Sequence, residues 1–397
     1  MELLAPAGDK NKLIMALHYG ADAVYLSSKR FGLRSFAGNF DEEGLRWAVD
    51  LVHSKGKKIY ITVNIIPHDS DFDGLDEYLI YLQEIGVDAI IVADLGVINL
   101  AKRVAPKLDI HLSTQANVTN SETAKFYASL GVKRIVLARE LSLDEICLLR
   151  KELPKEVEIE AFCHGAMCIS YSGRCLLSNF MTGRDANRGA CVQACRWQFE
   201  INEVNKTEKY PIEEDEKGTY ILNSQDMCMI EHLDKLEKAG IASLKIEGRM
   251  KSEYYVANTV NAYRLALDYL KENPDYNLPK EIADEVYKSS HRDYGTGFYF
   301  ERAKQNLKTS LPTASCDFVA IVIEDSLDGY TLVEMRNRFK KGEELELLSP
   351  KNNNAKVKII EIRDENGEID DCKVVQQRVK IKTNINLEKN EILRRKK

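Results

Sequence analysis

Short β-branched runs alternate with amphipathic stretches of helical length from the first residues onward, and this alternation restricts the fold more than any other feature of the chain. Strands separated by ten or more helical residues are joined in parallel by crossovers, so the pattern specifies repeated strand–helix units on a parallel sheet. Eight strands are expected, at 3–5, 23–26, 58–63, 89–92, 110–112, 134–137, 158–162 and 243–246. Helical periodicity lies between them at 42–53, 75–85, 122–130 and 143–149. Eight such units predict an α/β fold, a TIM-type (β/α)8 barrel spanning 1–272.

One connection is out of proportion. The seventh strand is followed by a long cysteine-rich insertion at about 166–242, which also holds an acidic loop and a helical pattern around 227–238. An insertion at the C-terminal end of a barrel strand opens on the face where such barrels carry their active sites. Several strands end there on polar residues: Asn64, Ser113 and Gln115, Arg139 and Glu140, His164, then Lys245, Glu247 and Arg249. Singly each reads equally well as a helix cap or strand terminator, but as a group they predict a polar pocket at the mouth.

A connecting segment at 273–317 opens with the Pro- and Asn-bearing "KENPDYNLPKE". From 318 to 397 the period changes to alternating strands with turns at Leu327-Asp328-Gly329 and Asn366-Gly367, which predicts a small C-terminal β-barrel domain.

Five of the nine cysteines fall within 163–195. No apolar run reaches membrane-spanning length, and the start Met1-Glu2-Leu3-Leu4-Ala5-Pro6 lacks a secretory pattern, so a cytoplasmic, reducing location is expected. In that compartment an odd number of cysteines argues against a disulfide framework and for metal or redox chemistry. Cys168, Cys175, Cys191, Cys195 and Cys228 show no Cys-x2-Cys knuckle. Thiolates gathered from one long loop suit an iron–sulfur cluster, with zinc as the alternative, and spacing alone allows either Cys195 or Cys228 as a fourth ligand. The net charge of −6 gives no overall sign of nucleic-acid binding, although a local basic surface is compatible with it.

The stretch "EAFCHGAMCISYSGRCLLS", Glu160 to Ser178, resembles the signature of the collagenase-like peptidase family U32 at every defined position. The likeness extends through "ELLAPAG", "GADAVYLS", "HLSTQAN", "NRGACVQACRW", "LNSQDM", "LKIEGRMKSEYYVA" and "SHRDYGTGFYF", and the terminal β-domain matches the longer-tailed members. Chemically the peptidase label finds no support, since the chain has no His-Glu-x-x-His motif and no Gly-x-Ser-x-Gly elbow. The resemblance is greatest to the transfer-RNA branch of the family. It implies an iron–sulfur protein of oxygen-independent, prephenate-dependent 5-hydroxylation of the tRNA wobble uridine. It also implies a 4Fe-4S cluster on Cys168, Cys175, Cys191 and Cys228, with Cys195 a spare thiol. The competing expectations are a peptidase, and a non-catalytic cluster-bearing chain that works with a paralogous partner.

Prephenate is a dicarboxylate and RNA a polyphosphate, and both suit the arginine fork. Arg174 and Arg188, flanked by the implied ligands, are expected to face substrate, with Arg139, Gln115, Lys245 and Arg249 as further substrate-binding candidates. His164 and Glu160 are the catalytic candidates: His164 for proton transfer at the mouth, Glu160 either inside the barrel with a partner or outward against a helix.

Overall fold

The computed structural model of the chain describes all residues except 33–37, 169, 198–199, 203–208, 212–223, 305–311 and 352. Eight parallel strands close into a barrel: β1 Glu2–Pro6, β2 Ala23–Leu26, β3 Lys58–Val63, β4 Ala89–Val92, β5 Asp109–Leu112, β6 Arg134–Val136, β7 Glu158–Ala166 and β8 Ser243–Ile246. Closure comes from β8, which pairs with both β7 and β1. Helices cover the outside, and a lumen layer of Leu4, Ala23, Tyr25, Tyr60, Ala89 and Ile91 fills the inside. The strands are therefore buried on both faces, which is why they read as continuous apolar runs.

The helices form where the period placed them. In Glu42–Ser54 the carboxylate of Asp41 accepts from the Gly44 amide at 2.9 Å, Glu42 and Glu43 occupy the positive first turn, and Leu45, Ala48, Val49 and Val52 make the buried stripe.

One expected helix is different. Within 227–238 only Leu233–Lys238 is α-helical, and Met227 and Cys228 lie in a strand, Asp226–Cys228. The reason is a backbone left without partners. Strand β7 outruns β6, whose last rung pairs Val136 with Glu160, and Asp226–Cys228 pairs antiparallel with the excess, Asp226 opposite Ala166 and Cys228 opposite His164.

The C-terminal unit is a second, antiparallel barrel of Cys316–Val322, Tyr330–Met335, Glu344–Leu348, Lys356–Asp364, Arg378–Thr383 and Ile392–Lys396, closed by pairing of the third with the fourth. It is fastened to the first barrel by buried charge. Arg394, fully buried, donates to Glu285, to Asn258 Oδ1 at 2.7 Å and to Glu346 at 2.7 Å. Lys288 stands 3.1 Å from Glu285, and the Tyr19 hydroxyl donates to the Leu348 carbonyl at 2.9 Å. Among the described residues no helix is long and apolar enough to cross a membrane.

Removing one partner of such a buried pair strands the other charge. Arg394→Ala is expected to lower the free energy of unfolding by about 3 kcal/mol, the low end for a buried pair because Lys288 still faces Glu285. Urea denaturation of the two full-length proteins measures it; an unchanged midpoint would mean that the seam contributes nothing.

Candidate active site at the barrel mouth

Side chains at alternate strand positions point into the lumen, and low in the barrel that layer is ionic. Arg134 on β6 contacts Glu2 at 2.6 Å, Glu158 at 2.6 Å and the fully buried Glu160 at 3.3 Å. Glu160 in turn holds Lys245 on β8 at 2.6 Å. Glu160 thus points inward, with two cations as the partners that burial demands. The ammonium of Lys245 also lies 4.5 Å from the Tyr25 ring centre.

One layer higher the inward positions are Tyr25, Thr62, Ile91, Ser113, Val136, Phe162 and Lys245, and these form the floor of a cavity of about 160 Å³. Around them stand Asn64, Gln115, Arg139, Glu247 and Arg249, all on loops just past strand ends. Ser113 caps a tight turn at Thr114–Ala116 that puts Gln115 in the cavity wall. Gln115 Oε1 accepts from Asn64 at 2.7 Å and from Ser113 at 3.3 Å, while its buried Nε2 has no partner among the described residues. Arg139 lies 3.8 Å from the Phe162 ring centre and donates to the Ala166 carbonyl at 2.8 Å, its buried Nε unpartnered among the described residues. Arg249 donates to Thr62 at 3.3 Å. Buried donors without partners inside a cavity are what an oxygen-rich ligand would satisfy.

The cysteine loop forms the roof. Cys168, Cys175, Cys191 and Cys195 all line the cavity, with Tyr171, Ser172 and Gly173 between them. The close approach requires glycine: Gly173 has φ +74°, and a Cβ there would stand 3.2 Å from the Cβ of Gln115. Gly165, at φ +110°, would drive a Cβ to 2.5 Å from the Glu247 carbonyl. The loop is tied down by the Ile66 amide donating to the Asn187 carbonyl, by Asn187 Nδ2 donating to the Cys175 carbonyl at 3.1 Å, and by Arg188 on Asp71 at 2.6 Å. The Gln193 amide donates to the sulfur of Cys191 at 3.4 Å. Four thiols spread around a cavity fit a four-iron cluster, in which each thiolate binds a different iron.

Other sequence candidates lie elsewhere. The Cys228 thiol is not on the cavity; it sits 3.8 Å from the Tyr263 hydroxyl, and burial pushes its pKa up to about 11. Alternation from Glu160 and Phe162 would aim His164 inward, but the register shifts between Lys245 and Ile246, so that Phe162 and His164 oppose consecutive residues. That irregularity re-aims the imidazole. It lies among Tyr255, Tyr263 and Tyr294, with Nε2 3.3 Å from the Tyr294 hydroxyl, and burial pushes its pKa down to about 3. Arg174 and Arg188 are exposed and do not line the cavity, whereas Arg139, Gln115, Lys245 and Arg249 do. Tyr25, Thr62 and Phe162 went unnoticed in the sequence, although counting back by two from the polar strand ends finds Thr62 and Phe162.

The model of Peptidase family U32 matches residues 8–309, and that of the Peptidase family U32 C-terminal domain matches 314–394. The tRNA hydroxylation protein P1 of Bacillus subtilis is 40% identical over 404 residues, covering 100% of this chain and 95% of that protein. The tRNA hydroxylation protein P of Escherichia coli is 36% identical, covering 89% and 87%. A 23S rRNA 5-hydroxycytidine synthase of Escherichia coli is 39% identical over 272 residues, which is 68% of this chain and 40% of that one.

The depressed pKa of His164 sets a pH dependence. The imidazole is neutral in the fold and takes up a proton near pH 6.5 once unfolded, so stability is lost as pH falls from about 6.5 toward 3. At pH 4.5 the His164→Gln protein should have lost about 3 kcal/mol less than the parent relative to pH 7.5, roughly 1.4 kcal/mol for each of the two pH units below 6.5. Denaturation at the two pH values measures it, and parallel losses would place a protonated imidazole in the fold.

Proposed function

Because the chain belongs to peptidase family U32 across nearly its whole length, we propose that it takes part in hydroxylating position 5 of the wobble uridine of transfer RNA. In this reading no molecular oxygen is used, and prephenate is the small dicarboxylate co-substrate. The full-length likeness to tRNA hydroxylation proteins supports the RNA reading. The observation that carries the chemistry is a single cavity in which four thiols face the cations Arg139, Lys245 and Arg249.

Cys168, Cys175 and Cys191 would hold an iron–sulfur cluster. For the fourth ligand we take Cys195, which faces the same cavity, over the Cys228 that the family resemblance implies. When bound, the cluster supplies a one-electron or Lewis-acid centre at the cavity rim. The protein's own groups do the rest. Arg139 and Arg249 grip carboxylates, Gln115 Nε2 donates to a substrate oxygen, and Phe162 keeps the Arg139 side of the cavity dry. Lys245, fixed by Glu160, keeps the floor positive without drifting into the substrate's place. Arg174 and Arg188 drop out of the dicarboxylate site, since Arg174 faces solvent and Arg188 is held by Asp71 outside the cavity.

Bulk tRNA from cells lacking the protein should lose 5-hydroxyuridine-derived nucleosides, and a wild-type copy should restore them. Unchanged nucleosides, with gelatin cleavage by the anaerobically purified protein, would favour a peptidase instead. In calorimetry the Arg139→Ala protein should bind prephenate about tenfold or more weakly, the loss of one charge-assisted hydrogen bond. Equal affinity of variant and parent would remove Arg139 from the dicarboxylate site.

A further inference from the structure

The short helix Leu177–Thr182 in the roof loop has two unlike sides. Leu177 and Ser178 face the cavity, and Ser178 is buried, its hydroxyl donating to the Arg184 carbonyl at 2.8 Å. On the other side Leu176 and Phe180, one turn apart, are 69% and 88% exposed. Tyr171, Met181 and Trp197, on the same loop, are also large and exposed. Apolar surface gathered in so short a stretch is unusual on a soluble fold and marks a contact surface.

Charge identifies the partner. Residues 166–197 carry Arg174, Arg184, Arg188 and Arg196 against one acid, Asp185, a net +3 within a chain of −6. All the cations are arginines, one between Tyr171 and Phe180 and three between Phe180 and Trp197. The C-terminal barrel, the other surface on which RNA could lie, is balanced: residues 316–397 hold 17 Lys and Arg against 16 Asp and Glu. Each of its six arginines already faces a carboxylate, as Arg338 does on Asp371, Arg363 on Glu361, Arg378 on Glu334 and Arg395 on Glu343. Arg336 and Arg394 are held by Glu253 and Glu285.

We propose that the outer face of the cysteine loop is the surface that binds the single-stranded loop of an RNA. Unpaired bases stack on Phe180, Tyr171 and Trp197 while the exposed Arg174 takes a phosphate, Arg188 being held by Asp71; this rests on the RNA-modification reading and specifies which surface serves it. Aromatic faces interleaved with guanidinium groups are the chemistry that unstacked bases on a polyanionic backbone require. A protein-binding patch has a core depleted of charge, which this face lacks. The position is also economical. Tyr171 belongs to both the outer face and the cavity wall, so a nucleotide laid over it is next to the opening that Gln115 and the thiols line.

The test uses the full-length protein and deacylated bulk tRNA, with fluorescence anisotropy at several salt concentrations. Phe180→Ala and Trp197→Ala should each weaken binding by about 5- to 100-fold, the range for losing one stacked base. Their melting temperatures should stay put, because both side chains stand outside the core. Arg174→Ala should reduce the slope of log affinity against log salt by about 0.7, one single-strand phosphate contact. The inference is overturned if all three variants bind like the parent. It is equally overturned if they keep tRNA affinity but lose binding to a paralogous chain or to anionic vesicles. Normal binding by parent and variants alike would leave the RNA reading intact. That reading falls instead if the parent itself fails to bind tRNA and the deletion strain keeps its nucleosides.

Discussion

The carboxylate of Glu160 is completely buried between Lys245 at 2.6 Å and Arg134 at 3.3 Å, and the arrangement above it depends on that junction. A lone carboxylate in a barrel lumen would be prohibitively unstable, whereas one shared by two cations is tolerated when its strands hold register. Here the charges come from four strands that meet where the barrel closes: Glu2 on β1, Arg134 on β6, Glu160 on β7 and Lys245 on β8. A slip of one residue in β7 would turn Glu160 outward and leave both cations uncompensated. The ionic layer therefore specifies the closure as well as filling it.

Above that layer the mouth is divided between a rigid, positive floor and a roof of thiols. The floor is set by strand ends, so its cations are fixed in direction before any ligand arrives. The roof is irregular backbone, held by a few polar ties to the β3 side, and it brings together cysteines far apart in sequence. In the proposed reading, preorganised charge below and soft donors above would let one small space combine anion binding with metal chemistry. The same loop turns Tyr171, Phe180 and Trp197 outward, so in the proposed reading substrate capture and chemistry share one element.

Much of this architecture was legible in the sequence because strand and helix periods differ so clearly. The eight strands, the oversized seventh connection and the terminal β-barrel all follow from periodicity. The inward polar set at Gln115, Arg139, Lys245 and Arg249 followed from position at strand ends. Side-chain direction in irregular backbone was not legible. Arg174 and Arg188 sit beside cysteines in sequence, yet one points to solvent and the other to Asp71, since adjacency fixes no direction outside a helix or strand. His164 carries the right parity for the lumen, but the irregular pairing at the end of β7 reverses it, and no residue type announces that. Cys228 lies on a short strand that pairs the overhang of β7 on one side and Tyr294–Gly295 on the other, a placement that loop composition does not announce.

The central claim is that the mouth cavity holds an iron–sulfur cluster, and metal analysis of anaerobically purified protein addresses it most directly. About four iron and four acid-labile sulfide per chain are expected, with visible absorption that bleaches on reduction. Cys195→Ala should lose the iron and Cys228→Ala should keep it. A chain carrying about one zinc and no sulfide would contradict the claim. Loss of iron from Cys228→Ala with retention in Cys195→Ala would contradict the ligand set drawn from the cavity.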